Sequence, residues 1–216
     1  MKLAPEGRPF IAAAGIIFLL LVAAAWVASG GSWYVFPAVW FPVAVWIPAF
    51  FRNPDRTGPR GDHLLIAPAD GRVVSVVETD EPDFIGGRAI RVSVFMNVFD
   101  VHVNRHPVSG TVAYRHYRPG KFVNASVDKA SADNEQLSLG VRSSRGAVLV
   151  RQIAGLVARR IVADPKLGDA VHQGARLGMI RFGSRVDTFF SPKATPTVGV
   201  GDKTRAGVTV IGEWPQ

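Results

Sequence analysis

The chain contains no cysteine, which excludes disulfides and thiolate metal sites and leaves no argument for an oxidising compartment. Charge is missing from one long region: between Phe10 and Phe51 there is no Asp, Glu, Lys or Arg. The rest lacks the 3.6-residue apolar period of long amphipathic helices, so helix is expected to be minor there. No heptad pattern is sustained, which argues against a coiled-coil adaptor. The stretch GMIRFGSRVD is not G-x-S-x-G and no strand–helix alternation surrounds it, which disfavours an α/β-hydrolase. Aromatic and basic residues are not interleaved as on an RNA-binding sheet, and no recognition-helix pattern occurs, so nucleic acid is not expected as a partner.

What is present begins with the uncharged region. FIAAAGIIFLLLVAAAWVA, 10–28, is long enough to span a hydrocarbon core of about 30 Å. After SGGS, a second apolar segment, 33–51, carries Pro37, Pro42 and Pro48, so it reads as a kinked span or a re-entrant piece. Lys2 and Arg8 precede the first segment, and Arg52, Arg56 and Arg60 follow the second. The positive-inside tendency then places both ends in the cytoplasm. A cleaved leader ending near VASG is the competing reading, but the second segment would still hold the product in the membrane. Residues 1–51 are therefore read as a membrane anchor in the form of a helical hairpin, and 52–216 as the soluble domain. The net charge of +8 falls mostly on that domain and suits an anionic membrane surface.

After the linker NPDRTGPRGD come short β-rich runs punctuated by Gly, Pro and Asp: LLIA, GRVVSVVE, AIRVSVFM, GTVAYRHY, GAVLVRQIA, ARRIVA, RLGMIRFG, RVDTFF and GVTVIGE. They predict a mainly β domain of antiparallel sheets or a sandwiched barrel, with minor helix; RQIAGLVARR is ambiguous. Two echoes stand out. GDAVHQGARLGMI (168–180) matches GDKTRAGVTVI (201–211), and PADGRVV matches PVSGTVA. Such hairpins resemble those of lipoyl and biotinyl carrier domains, yet Lys203 is poorly framed as a modifiable lysine. A membrane-tethered, lipoyl-like adaptor without catalysis is the alternative this pattern leaves.

Three stretches hold chemically competent residues near strand ends. APADGRV places Asp70 at a turn. FMNVFDVHVNRHPVSG gathers Asp100, His102, Asn104, Arg105 and His106, and alternation puts Asp100, His102 and Asn104 on one face. Asp100, His102 and His106 are the only zinc-like set, but ligands this close along an extended strand splay apart, and no metal is expected. RFGSRVD offers Gly183-Ser184, either a plain turn or a nucleophilic serine, which needs a base and an orienting group. Asp70, His102 and Ser184 supply those residue types.

APADGRV, DVHVNRHPVSG, YRPGKFVNASVDKASADNEQ and GMIRFGSRVD, in this order behind a hydrophobic segment ending FFRNPDR, resemble the short bacterial and archaeal form of the phosphatidylserine decarboxylase family over essentially the whole chain. The resemblance implies a proenzyme that cuts itself between Gly183 and Ser184, giving chains 1–183 and 184–216 that stay together as a heterodimer, with further self-association left open. Ser184 would become a covalent pyruvoyl (pyruvate) cofactor that takes the amine of phosphatidylserine and draws electrons as CO2 leaves, yielding phosphatidylethanolamine. It also implies His102 as base and later proton donor, oriented by Asp70. A glycine before the serine removes a Cβ from the path of attack and permits a strained turn, and only a β-hydroxyl or thiol serves first as nucleophile and then as leaving group. Longer family members carry a second histidine where this chain has Arg105, which becomes a candidate for the substrate phosphate or carboxylate. Lys121 and Asn124 are further headgroup candidates. The expected location is the cell membrane, with the catalytic domain on the cytoplasmic side.

Overall fold

The computed structural model describes residues 2–121, 134–155, 161–181 and 183–215. The chain forms two compact units, Met1–Asp55 and Arg56–Gln216.

In the first unit, α1 (Arg8–Val27) and α2 (Val35–Phe50) are joined through a 3-10 turn at Gly31–Tyr34. The Ala- and Leu-rich run propagates α1 until Ser29, whose φ of 53° turns the chain. Pro37 lies in the first turn of α2, where its missing N–H has no partner to lose, whereas Pro42 and Pro48 lie inside the helix. The helices are antiparallel: Phe10 stacks on Phe51 at 5.5 Å, and the Trp40 indole donates to the Ala14 carbonyl at 3.0 Å. A short ladder of β1 (Lys2–Leu3) with β2 (Arg52–Asn53) ties the open end. Leu19, Leu20, Trp26 and Val39 are all more than 60% exposed, an apolar surface that water disfavours. Both helical segments are long and apolar enough to cross a membrane.

The second unit is mainly β, with no helix among its described residues. Its strands are β3 (Leu64–Ile66), β4 (Gly71–Glu81), β5 (Gly87–Met96), β6 (Val103–Arg105), β7 (Gly110–Arg118), β8 (Gln136–Ser143), β9 (Gly146–Ile153), β10 (Ile161–Ala163), β11 (Ala170–Val171), β12 (Arg176–Ile180), β13 (Ser184–Phe190), β14 (Thr195–Pro196), β15 (Lys203–Thr204) and β16 (Val210–Glu213). An eight-stranded sheet runs β11-β7-β8-β9-β13-β5-β4-β15, beside three-stranded sheets β10-β12-β6 and β14-β16-β3. All of these strand pairs are antiparallel. Val92, Val94, Met96, Val186 and Phe190 on the large sheet join Leu65, Leu177, Ile180 and Ile211 from the small ones in one core, each contributing about 1.5–3 kcal/mol by burial.

The echoes in the sequence are a structural repeat. Gly71 opens β4 beside Thr204, and Gly110 opens β7 beside Val171. A Cβ on Gly71 would strike the Phe95 carbonyl oxygen, and one on Gly110 the Arg142 carbonyl oxygen. Asp70 Oδ1 accepts the Ala206 N–H at 2.7 Å as Ser109 Oγ accepts the Gln173 N–H at 2.9 Å. The His102 carbonyl accepts from Ile180 at 3.4 Å as the His63 carbonyl accepts from Trp214 at 2.9 Å. Asn104 lies opposite Gly178 as Leu65 lies opposite Gly212, each beside a register shift. The eight-stranded order is accordingly symmetric about the β9–β13 seam.

The runs expected as strands are strands over most of their length, and the described part of RQIAGLVARR begins as the end of β9; 156–160 lie outside the described residues. β8 was not anticipated. Opposite the alternating Leu137, Leu139 and Val141 stands Gly140, a residue that weakens strands, yet the Phe84 ring occupies the place a Cβ would take there, at 2.6 Å.

Candidate active site

Ser184 is the first residue of β13, a central strand between β5 and β9, and its side chain is fully buried. Alternation sends Ser184, Val186 and Phe190 to the core face and Arg185, Asp187 and Phe189 to the other, in agreement with the separate clusters that hold Phe190 and Phe189. Residues 181–183 carry the chain from β12 in a small sheet to β13 in the large one. Phe182 lies outside the described residues. Gly183 has φ of 55°, the left-handed region, which costs other residues roughly 1–2 kcal/mol. Beyond its two chain neighbours, a Cβ built on Gly183 meets nothing within 4 Å, and the backbone conformation by itself favours glycine at this position. Ser184 Oγ finds no hydrogen-bond partner among the described residues, a buried orphan hydroxyl that costs about 1–3 kcal/mol.

His102 is fully buried just before β6, and its Nδ1 lies 3.0 Å from the Asp100 carbonyl oxygen. A carbonyl only accepts, so Nδ1 carries a proton; in the neutral form of the ring this puts the lone pair on Nε2, the form a general base needs. Among the described residues, the hydrogen bonds of Asp70 go to groups other than His102. Asp70 Oδ2 accepts from Arg56 at 2.6 Å and Oδ1 from the Ala206 N–H, because Asp70 fills the main-chain capping position that Ser109 fills in the other half. Burial raises the Asp70 pKa, opposed by the Ala206 N–H and the Arg56 charge. The expected shared face of Asp100, His102 and Asn104 is also shorter than alternation implies. Asp100 sits in a turn, its Oδ2 accepting the Asn97 N–H at 2.9 Å, and β6 begins only at Val103.

Sequence reasoning missed a buried amide pair. Gln152 Nε2 donates to Asn104 Oδ1 at 2.8 Å, and Asn104 Nδ2 lies 3.6 Å from Met96 Sδ. Met96 is the cross-strand partner of Ser184. Nothing in local sequence marks Gln152, which reads as one more residue of a β run. On the opposite face Arg185 grips Asp187 with two bonds of 2.7 and 2.9 Å, both side chains buried. Removing one partner takes the ion pair from a buried charge, so Asp187→Ala is expected to lower the unfolding free energy by about 3–5 kcal/mol in urea titrations.

Of the headgroup candidates, Arg105 directs Nη1 to the Gly174 carbonyl at 3.0 Å and packs its Cδ against Gly207. Lys121 is exposed and bridges to Asn134, whose Nδ2 donates to the Ala154 carbonyl at 2.7 Å. That is the same end of the sheet as Ser184, because Gln136, Ile153 and Arg185 lie in one row across β8, β9 and β13. Asn124 lies outside the described residues. His106 follows β6 directly. It is buried, neither ring nitrogen has a partner among the described residues, and burial pushes its pKa down to about 4. The unfolded chain therefore binds the proton first. Stability from this group is complete above about pH 6.5 and is lost as pH falls through 4, roughly 3 kcal/mol in all. Urea midpoints should fall between pH 7 and pH 4 more steeply in the parent chain than in His106→Leu.

No cluster of three or more potential metal ligands occurs among the described residues. A serine hydroxyl held out of water without a partner among the described residues, directly after a glycine at positive φ and at the start of a central strand, is compatible with the class of proenzymes that are processed at an internal serine. The phosphatidylserine decarboxylase family model matches residues 44–212. Among curated proteins, the phosphatidylserine decarboxylase proenzyme of Symbiobacterium thermophilum is 45% identical over 99% of this chain and 96% of its own length. The proenzyme of Cupriavidus pinatubonensis is 44% identical over 98% and 94%, and that of Geotalea uraniireducens 42% over 99% and 97%. The chain belongs to the phosphatidylserine decarboxylase family.

Proposed function

We propose that this chain is the proenzyme of a membrane-anchored, pyruvoyl-dependent decarboxylase that converts phosphatidylserine to phosphatidylethanolamine and CO2. The observation that carries the reading is the buried, unpartnered Ser184 hydroxyl behind Gly183 in a chain of this family. Ser184 Oγ attacks the Gly183 carbonyl carbon, the peptide C–N bond breaks, and an ester joins Gly183 to the Ser184 side chain. Loss of the Ser184 Cα proton expels the Gly183 carboxylate, and one water replaces the nitrogen, which leaves as ammonia. The resulting pyruvoyl group supplies a carbonyl for the substrate amine and an electron sink for breaking the bond to CO2. His102 is the base for the first step and the proton donor that follows decarboxylation. Arg105 and Lys121 are proposed headgroup contacts, Lys121 having the better placement.

The fragments 1–183 and 184–216 stay together as a heterodimer for a topological reason. After the cut β13 still lies between β5 and β9, and β16 still pairs with β3. Residues 1–51 form the anchor, with the basic flanks and the 52–216 domain on the cytoplasmic side. An anchored catalyst suits a diacyl substrate that does not leave the bilayer. The test is purified full chain with vesicles of phosphatidylserine labelled in the serine carboxyl. Two fragment masses under denaturing conditions and labelled CO2 are expected, whereas one uncut mass and no CO2 would return the chain to the adaptor reading.

A further inference from the structure

The fold builds one core position twice, and the two copies differ in chemistry. Leu65 in β3 is the counterpart of Asn104 in β6, each facing a glycine of its partner strand, Gly212 and Gly178. Gln152 also has an apolar counterpart. Across β8–β9 it faces Leu137, and across β5–β13 the matching register puts Phe190 against Ile90. Leu65 and Phe190 lie close together, both within 3.2 Å of a Cβ built on Gly212. Where one half has a neighbouring Leu and Phe, the other has two amides, exposed 0% and 1%. The fold therefore does not require amides there. They are also imperfectly satisfied: Gln152 Oε1 has no partner among the described residues, and the Asn104 amide group is spent on a thioether, a weak acceptor.

From this asymmetry we infer that Asn104 is a catalytic residue of self-cleavage and that Gln152 is its positioning residue. The inference rests on the proposed cut at Gly183-Ser184. By donating to Asn104 Oδ1, Gln152 fixes which way the amide faces and aims Nδ2 toward Met96, the residue paired with Ser184 across the strands. Directly paired side chains lie about 4.5–5.5 Å apart at Cβ, so the donor touches the residue that stands directly across from Ser184 on the buried face. As the Oγ–C bond forms, the carbonyl π pair moves to the Gly183 oxygen and the Oγ proton passes to His102. Nδ2 releases the sulfur and donates to that oxyanion. Collapse breaks the C–N bond, and the proton returns to the departing nitrogen. A donor held in a dry site without reorganisation is the arrangement that stabilises such an oxyanion.

The test measures cleavage by denaturing mass in freshly synthesised full chain. Asn104→Leu is expected to slow cutting at least a hundredfold, the usual cost of one oxyanion donor. Asn104→Leu/Gln152→Leu removes both partners together, which a core tolerates well, so it should keep the parental circular dichroism and melting temperature and still cut a hundredfold slower. In Gln152→Glu, an ionised carboxylate cannot donate to Oδ1 and turns the amide over, while a protonated one restores the bond. Its cutting rate relative to the parent should therefore rise as pH falls, which a space-filling role would not produce. A folded double variant that cuts at the parental rate overturns the inference and leaves the decarboxylase reading intact. A double variant that cuts normally but releases no CO2 overturns it too, moving the amides to substrate binding. Failure of the parent itself to cut would instead defeat the underlying reading.

Discussion

A chain carrying Ser184→Ala remains a single polypeptide near 23.3 kDa under denaturing conditions, yields neither 1–183 nor 184–216, and releases no CO2 from phosphatidylserine above background. The substitution removes one oxygen, and that oxygen is both the attacking atom and the atom later expelled with Gly183. No other group of β13 can substitute, because the register holds Ser184 against Met96 and the next hydroxyl on the same face is Thr188, a full four residues along the strand. Misfolding would not explain the loss. Ser184 Oγ makes no hydrogen bond to a described residue, so deleting a buried orphan hydroxyl is expected to leave stability unchanged or raise it by about 1 kcal/mol. Loss of cutting with equal or higher stability separates chemistry from fold. Fragments from the alanine variant, by contrast, would remove Ser184 from the mechanism.

The sequence made some of this architecture readable and hid the rest for identifiable reasons. The alternating runs around Val92 and Val186 marked β5 and β13, because a half-buried strand needs period two. Gly140 concealed β8, since a glycine that exists to admit the Phe84 ring looks locally like a strand breaker. Ser184 was legible through its neighbours in sequence, Gly183 above all, although the φ of 55° that favours a glycine there is visible only in the fold. The pairing of Asp70 with His102 came from the family resemblance, and a resemblance does not reveal hydrogen-bond partners: only the fold shows that Arg56 and the Ala206 N–H engage its oxygens. The echoes PADG and PVSG were visible as strings. Their meaning, two superposable halves, needed paired hydrogen bonds that link residues more than sixty apart in sequence.

His102→Ala is expected to slow self-cleavage by about a hundred- to ten-thousand-fold, the usual contribution of a positioned acid–base group, and to do so at every pH between 6 and 8. The duplication provides a control that few active sites offer. His63 occupies the equivalent place in the other half, its carbonyl bonded to Trp214 as that of His102 is bonded to Ile180. The surroundings differ. His63 is a third exposed at its side chain and lies 3.8 Å from Asp62, whereas His102 is fully buried with Nδ1 on a carbonyl. His63→Ala should therefore cut at the parental rate. If both alanine variants slow cutting equally, the histidines serve the strand ends of the two halves and His102 has no special claim as base. If only His102→Ala slows it, the difference lies in the side chain, since the main-chain bonds match. Adding imidazole gives a further check: a small base entering the vacated space should partly restore cutting in His102→Ala and leave Ser184→Ala uncut.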